Sequence, residues 1–155
     1  MNLDKALKFL KLAKIHADLF SKDPSTKVGC IIIAPDSFQI LSCGYNGLPR
    51  NINETISERW DYPLKGYYCE HSERNCLYNA CRSGVKLENG IAIVSLYPCH
   101  DCARGLIQSG IRTIITLEPN FDHERWGPSF KISSLLFEEA GIKIITFTKD
   151  DINKI

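Results

Sequence analysis

The sequence lacks a long apolar run and any large excess of charge of one sign. No segment approaches the roughly 18 apolar residues typical of a membrane-spanning helix. The 155 residues carry 19 Lys and Arg against 18 Asp and Glu, a formal net charge of +1. Sequence-independent nucleic-acid binding usually needs a broad basic face, which this balance excludes. We therefore expect no membrane partner and no nucleic-acid partner, and small ligands remain possible.

A secretory signal is also missing from the sequence. Lys and Asp are spread through Met1 to Phe20, and no small-residue cleavage pattern follows. We therefore expect a cytoplasmic protein, in a compartment that keeps thiols reduced. Seven cysteines, an odd number, cannot all be paired with one another. Each cysteine is then a metal ligand, a nucleophile or a packing residue, according to its position.

The length and the apolar pattern predict one α/β domain over residues 1–155. A chain of this length buries enough surface to fold without a disulfide or a metal. Strands that alternate with helices imply that the last three strands are parallel, whereas the first two form an antiparallel hairpin. We predict a three-layer α/β/α sandwich with a five-stranded mixed sheet. The predicted helices span 3–20, 72–83, 101–109 and 129–140, and the predicted strands span 28–34, 38–45, 91–97, 111–117 and 142–147.

Two short motifs stand at the starts of predicted helices. They read HSE at residues 71–73 and PCHDC at residues 98–102. Thiolates and imidazole are preferred ligands of zinc, and two cysteines three apart at a helix start direct both sulfurs toward one site. If the two helices lie side by side, His71, Cys99 and Cys102 supply three ligands. A fourth, open position is the arrangement of a catalytic zinc rather than a structural one.

Glu73 lies two residues after His71 and is not needed as a ligand. From there its carboxylate can take a proton from water and return it to a ring nitrogen and then to a departing amine. These steps are what the hydrolytic deamination of a nucleobase requires. The two cysteines alone would also fit a redox pair or half of a structural zinc site, and the upstream HSE motif favours catalysis. Four other cysteines are predicted to be small buried residues: Cys30, Cys43, Cys76 and Cys81.

The motifs match the signature of zinc nucleobase deaminases, and the chain as a whole resembles a branch of that superfamily. The likeness is to the deoxycytidylate (dCMP) deaminase branch of the zinc-dependent cytidine/deoxycytidylate deaminase superfamily. It includes DPSTKVGC at residues 23–30 and GYNGLPR at residues 44–50, and it covers roughly residues 2–147. The resemblance implies a cytidine deaminase-like fold and conversion of dCMP to dUMP and ammonia.

The resemblance also implies roles for particular residues. His71, Cys99 and Cys102 would hold Zn²⁺, with Glu73 as the general acid and base. Asn46 would bond the sugar of the substrate, the backbone N–H of Ser72 would contact the base where the family usually has Ala, and Pro98 would line the site. Thr26 and Lys27 would line the base or phosphate end of the substrate. Candidates for a phosphate clamp, each of which could instead be solvated loop charge, are Arg50, Arg59, Lys65 and Arg74.

Relatives of this kind assemble into homo-oligomers, so the resemblance implies an assembly such as a dimer or a hexamer. The aromatic segment 59–68 and the second predicted helix are candidates for its interface. Three other functions remain open from the sequence. The chain could deaminate a nucleoside or a free base, such as deoxycytidine, cytosine or guanine. It could be a tRNA adenosine deaminase, which the balanced charge disfavours, or a zinc-stabilised binding module without turnover.

Overall fold

A computed structural model of the chain describes residues 1–154, and its five strands and four longest helices follow one another in the predicted order. Residue 155, the last of the predicted domain, lies outside the described residues. The helices are α1 Leu3–Phe20, α2 Lys65–Tyr68, α3 Ser72–Ser83, α4 His100–Gln108, α5 Gly127–Glu139 and α6 Lys149–Asn153. The strands are β1 Gly29–Ile33, β2 Ile40–Tyr45, β3 Ile91–Val94, β4 Thr113–Leu117 and β5 Lys143–Phe147.

The five strands form one mixed sheet in the order β2-β1-β3-β4-β5. β1 pairs antiparallel with both of its neighbours, and Ile31 lies opposite Cys43 on one side and Ile93 on the other. β3, β4 and β5 run parallel to one another. The predicted hairpin and the predicted parallel strands are both confirmed. All five residues of β1 are buried, as expected for a central strand covered on both faces.

Apolar side chains fill the space on each side of the sheet. Because successive side chains of a strand point to opposite faces, Ile31 and Ile33 pack on one side and Ile32 packs on the other. The first side is covered by α1, whose Leu10 is fully buried, and by α6. The second side is covered by α3, α4 and α5, with Phe137 of α5 fully buried. The predicted three-layer α/β/α sandwich is confirmed.

Helix α3 approaches the edge strand β2 very closely, and this contact positions the site described below. A Cβ atom built on Gly44 would lie 2.4 Å from the backbone nitrogen of Cys76, so only glycine permits the approach. Side chains then tie the helix to the strand. The Ser42 hydroxyl donates to the carbonyl of Cys76 at 2.7 Å, and the Asn79 amide donates to the carbonyl of Cys43 at 2.7 Å.

The structure differs from the sequence-based prediction in several details. β3 ends at Val94 rather than 97, where its antiparallel pairing with β1 stops at Cys30. The unperiodic segment 46–70 contains a short 3₁₀ helix, Ser57–Trp60, and α2, while α6 was not predicted at all. Cys81 is exposed rather than buried, because the inward face of α3 carries Glu73, Cys76 and Ala80. No helix in residues 1–154 has the length and apolarity needed to cross a bilayer.

Candidate active site

His71, Cys99 and Cys102 converge at the starts of two neighbouring helices. The Nδ1 atom of His71 lies 3.4 Å from Sγ of Cys99 and 3.5 Å from Sγ of Cys102. The three donor atoms all lie within 4.8 Å of one another. Both cysteines are buried, and the His71 ring is partly buried. The predicted convergence of these three side chains is therefore present in the structure.

The local backbone explains why the three side chains meet. His71 and Cys99 are the N-cap residues of α3 and α4, and each has the extended backbone angles usual at that position. Cys102 follows in the first turn of α4. A helix N-terminus carries partial positive charge, which favours a thiolate. The hydrogen bond from the Cys102 thiol, together with that from His71, outweighs the effect of burial and holds the pKa of Cys99 well below its ordinary value.

The carboxyl group of Glu73 lies beside this group in the first turn of α3. The residue is 4% exposed, and the hydroxyl of Ser72 donates to its Oε2 at 2.9 Å. Burial raises the pKa of the Glu73 carboxyl above its ordinary value. A carboxyl group with a raised pKa can exchange a proton closer to neutral pH, which suits a general acid and base.

A cavity of about 150 Å³ opens in front of these residues. We call the side lined by His71, Ser72, Glu73 and Cys99, together with the neighbouring Cys102, the metal half of the site. The opposite side, which we call the loop half, is formed by Asp23, Ser25, Thr26, Asn46 and Lys65. The remaining walls are mainly apolar or aromatic, and they come from Val28, Leu96, Tyr97, Trp126 and Phe130.

Asn46 holds the loop half together through its side-chain amide. Its Oδ1 accepts hydrogen bonds from the Ser21 hydroxyl at 2.9 Å and from the backbone N–H of Val28 at 2.8 Å. Its Nδ2 donates to Asp23 Oδ2 and to the Thr26 carbonyl, both at 2.8 Å. Two acceptor and two donor positions are all an amide possesses. A bond from Asn46 to a substrate sugar would therefore replace one of these contacts, and it stays a prediction.

The carboxylate of Asp23 is the second fixed point of the loop half. It is 0% exposed and forms an ion pair with Lys65 Nζ at 2.6 Å. Lys65 Nζ also bonds the Ser25 hydroxyl at 2.7 Å. Burial acts to raise the pKa of Asp23, but the hydrogen bonds from Lys65 and from the backbone N–H groups of Thr26 and Ser25 outweigh it. The pKa of Asp23 accordingly lies below its ordinary value.

The cavity includes some of the predicted substrate contacts and leaves others outside. Ser72, Thr26 and Asn46 line it, as does Lys65 from the predicted clamp. The remaining candidates do not. Lys27 donates to the carbonyl of Asp18, Arg50 to the side chain of Asn79 and Arg59 to the carbonyl of Asn53. Arg74 forms an ion pair with Glu70 at 2.7 Å, and Pro98 is buried next to Cys99 without lining the cavity.

The sequence analysis did not identify Arg125 as a site residue. Lys65 and Arg125 are the two Lys or Arg side chains among the residues that line this cavity. Arg125 and Trp126 lie on the connection between β4 and α5, and the Trp126 ring centroid is 6.0 Å from that of His71. The predicted order of strands and helices nevertheless contained a signal that could have indicated this segment. Ligands of parallel α/β sheets bind outside the carboxyl ends of the strands, and this connection leaves the carboxyl end of β4.

The donor set fits zinc. One imidazole nitrogen and two thiolates are soft to borderline ligands, the types that zinc prefers over harder oxygen donors. The only group of three His, Cys, Asp or Glu side chains in residues 1–154 that converge closely enough for one ion is this one. With three protein ligands, a tetrahedral ion would keep one position open toward the cavity, as catalytic zinc sites do.

Comparison with known proteins points in the same direction. Residues 3–118 match the family model described as the cytidine and deoxycytidylate deaminase zinc-binding region. A probable deoxycytidylate deaminase of Caenorhabditis elegans is 38% identical over 121 residues, which cover 76% of this chain and 59% of that protein. The deoxycytidylate deaminase of Mus musculus is 33% identical over 150 residues, which cover 90% of this chain and 78% of that protein. The chain thus spans less than two thirds of the nematode relative.

A solved structure has a similar fold. It is the dCMP deaminase of the cyanophage S-TIM5 in complex with dCMP and dUMP, with a TM-score of 0.75 and 19% sequence identity. The alignment covers 95% of this chain and 99% of the phage protein. At that identity the likeness concerns the fold.

Proposed function

Because the chain belongs to the family of zinc-dependent cytidine and deoxycytidylate deaminases, we propose that it removes the amino group of a pyrimidine nucleotide by hydrolysis. The expected reaction converts dCMP and water to dUMP and ammonia. The observation that carries the proposal is the convergence of His71, Cys99 and Cys102 beside the buried carboxyl of Glu73. A purely structural metal site has no use for an uncoordinated carboxyl group next to the metal. The combination therefore favours an enzyme over a zinc-stabilised binding module.

We assign His71, Cys99 and Cys102 as the residues that hold zinc. Zinc bound by three protein ligands supplies a water that is nucleophilic near neutral pH. Two of the three ligands, His71 and Cys99, line the cavity, where a base would lie between the metal half and the aromatic wall of Trp126 and Phe130.

Glu73 moves the protons in this scheme. Its carboxylate takes a proton from the attacking water and delivers it to the ring nitrogen next to the reacting carbon. The second proton of the water passes through the same carboxyl to the amino group, which leaves as ammonia while the carbonyl of the product forms. Ser72 holds the carboxyl in place through the 2.9 Å hydrogen bond to Oε2. The backbone N–H of Ser72, at the start of α3, would contact the base.

Ammonia release by the zinc-loaded chain tests the substrate assignment. The assay compares dCMP, CMP, deoxycytidine, cytosine and guanine, with a tRNA as a separate sample. We expect dCMP to have the highest kcat/KM. Turnover of a free base by a chain that leaves dCMP unchanged would overturn the assignment to dCMP, and turnover of none of these substrates would overturn the proposed activity.

We also propose that residues 1–155 act as one domain and that the protein is cytoplasmic. Seven cysteines without disulfide bonds suit a reducing compartment.

We further propose that the chain forms a homo-oligomer through the segment 59–68. On this segment, Tyr62 is 70% exposed and Tyr67 is 84% exposed, and large exposed aromatics are frequent in subunit interfaces. Light scattering after size-exclusion chromatography tests the assembly. A monomer at high concentration, or an assembly unchanged by Tyr67→Ser, would contradict the proposed interface.

A further inference from the structure

We propose that Arg125 recognises the phosphate of the substrate and thereby makes the site prefer a nucleotide over a nucleoside. The inference rests on the proposed function, because it concerns the same cavity. Arg125 belongs to none of the motifs that indicated this function, and it is absent from the clamp predicted from the sequence.

The charges of the cavity lining leave one cation without an anion. The lining contains two cationic side chains, Lys65 and Arg125. Lys65 is neutralised by Asp23 at 2.6 Å and is further held by Ser25. Arg125 forms no ion pair with a carboxylate of residues 1–154. A phosphate that enters the cavity therefore meets one uncompensated positive charge, and that charge is on Arg125.

Aromatic rings hold the guanidinium of Arg125 in place without using its hydrogen-bond donors. Its Cζ atom lies 4.3 Å from the ring centroid of Tyr62 and 4.9 Å from that of Trp126. Stacking on an aromatic face leaves the N–H groups at the edge of the guanidinium plane available. Those groups form a fork that matches two oxygens of a phosphate. The side chain is thus preorganised for an anion and lacks one in the protein itself.

The position of Arg125 suits the far end of a nucleotide. Trp126 lies between His71 of the metal half and Arg125. The centroid of its ring is 6.0 Å from that of the His71 ring and 4.9 Å from Cζ of Arg125. A base whose amino group faces Glu73 would lie along this tryptophan, with its sugar and phosphate directed toward the mouth of the cavity. The exposed side chain of Arg125 stands at that mouth.

Substitution of Arg125 tests the inference through the difference between dCMP and deoxycytidine. For Arg125→Gln we expect KM for dCMP to rise by about 10- to 100-fold, the usual effect of losing a charge-assisted hydrogen bond, with kcat nearly unchanged. The kcat/KM for deoxycytidine should stay at the wild-type value. Arg125→Lys should restore part of the loss, because it keeps the charge and loses the fork. Arg82→Gln, which removes an exposed charge at the end of α3, is the matched control.

Binding of the product provides a readout that does not depend on turnover. Calorimetry of dUMP and deoxyuridine should show a weaker Kd for dUMP alone in Arg125→Gln. Equal losses for both ligands would overturn the inference and indicate that Arg125 only joins the Tyr62 segment to Trp126. Unchanged values for both would assign Arg125 to the solvated surface. A wild-type chain that binds dUMP tightly but deaminates none of the substrates would overturn the proposed activity. The Kd values of dUMP and deoxyuridine would still decide whether Arg125 binds the phosphate.

Discussion

The two halves of the cavity are built on different principles. In the metal half, the backbone at the starts of α3 and α4 directs His71 and Cys99 toward one point, and the residues involved are contiguous in two short motifs. In the loop half, side chains from residues 21 to 65 hold one another through hydrogen bonds centred on Asp23 and Asn46. The catalytic geometry of the metal half depends mainly on the local backbone at two helix starts. The loop half depends on hydrogen bonds between residues far apart in the chain. A single substitution should therefore affect mainly activity in the metal half and mainly stability in the loop half.

The largest effect on activity is expected in the metal half. Glu73→Gln keeps the size of the side chain and removes its ability to carry protons, so kcat should fall by about 10³-fold. Zinc content per chain and the melting temperature should stay near the wild-type values, because Glu73 is not a ligand. Steady-state kinetics together with metal analysis checks this. Ser72→Ala is the control, since it keeps the carboxyl group, and we expect a loss of less than about tenfold. An active Glu73→Gln enzyme would remove the proposed proton transfer.

The largest effect on stability is expected in the loop half. Lys65→Met leaves the Asp23 carboxylate, which is 0% exposed, without its cation. We expect a loss of about 3 kcal/mol in the free energy of unfolding, at the low end for a buried pair because Lys65 itself is partly solvated. Urea unfolding at neutral pH measures it. Lys22→Met is the matched control, because its pair with Glu54 lies on the surface, and it should leave the free energy of unfolding nearly unchanged.

The same ion pair predicts how stability changes with pH. The pKa of Asp23 is lowered in the folded state, so the folded protein binds fewer protons than the unfolded chain in the acid range. The contribution of Asp23 is complete above its unfolded pKa and disappears as the pH falls through its folded pKa. The difference in stability between wild type and Lys65→Met should therefore be largest near pH 7 and shrink in acid. A difference that is constant with pH would contradict the role of the ion pair.

The smallest effect is expected for Arg50, which the sequence offered as a phosphate ligand. Its guanidinium donates to the amide oxygen of Asn79 on α3, and Arg50 does not line the cavity. Arg50→Ala should change kcat/KM for dCMP by less than about twofold and the free energy of unfolding by less than about 0.5 kcal/mol. Comparison with Arg125→Gln in the same assay is the sharpest test of which loop cation meets the phosphate.

The sequence predicted the fold and the metal half because both depend on short-range patterns. Apolar spacing located every strand of the sheet, and the two motifs placed His71, Cys99 and Cys102 at helix starts. The end of β3 was misjudged because pairing with β1, not the apolar run itself, decides where the strand stops. Helix α6 was missed because its five residues have too little periodicity to indicate a helix.

The loop half was predicted less well because its contacts join residues far apart in the chain. Asp23 lies in a motif that carried the resemblance, but nothing local indicates that Lys65 is its partner, 42 residues away. Arg50 and Arg74 were both candidate phosphate ligands, and in the structure each is bonded to another side chain, Asn79 and Glu70 respectively. The place of Arg125 after β4 follows from the strand order, but its contact with the distant Tyr62 does not follow from any local pattern.

The amide of Asn46 has a consequence for how the loop half opens. Its four hydrogen bonds bring together Ser21, Asp23, Thr26 and Val28, so none of these contacts can be released without weakening the rest. Opening should then occur as one cooperative event with a single free energy, rather than as fraying of individual residues. The Val28 amide hydrogen, which bonds Asn46 Oδ1 directly, reports that event through its exchange with solvent deuterium.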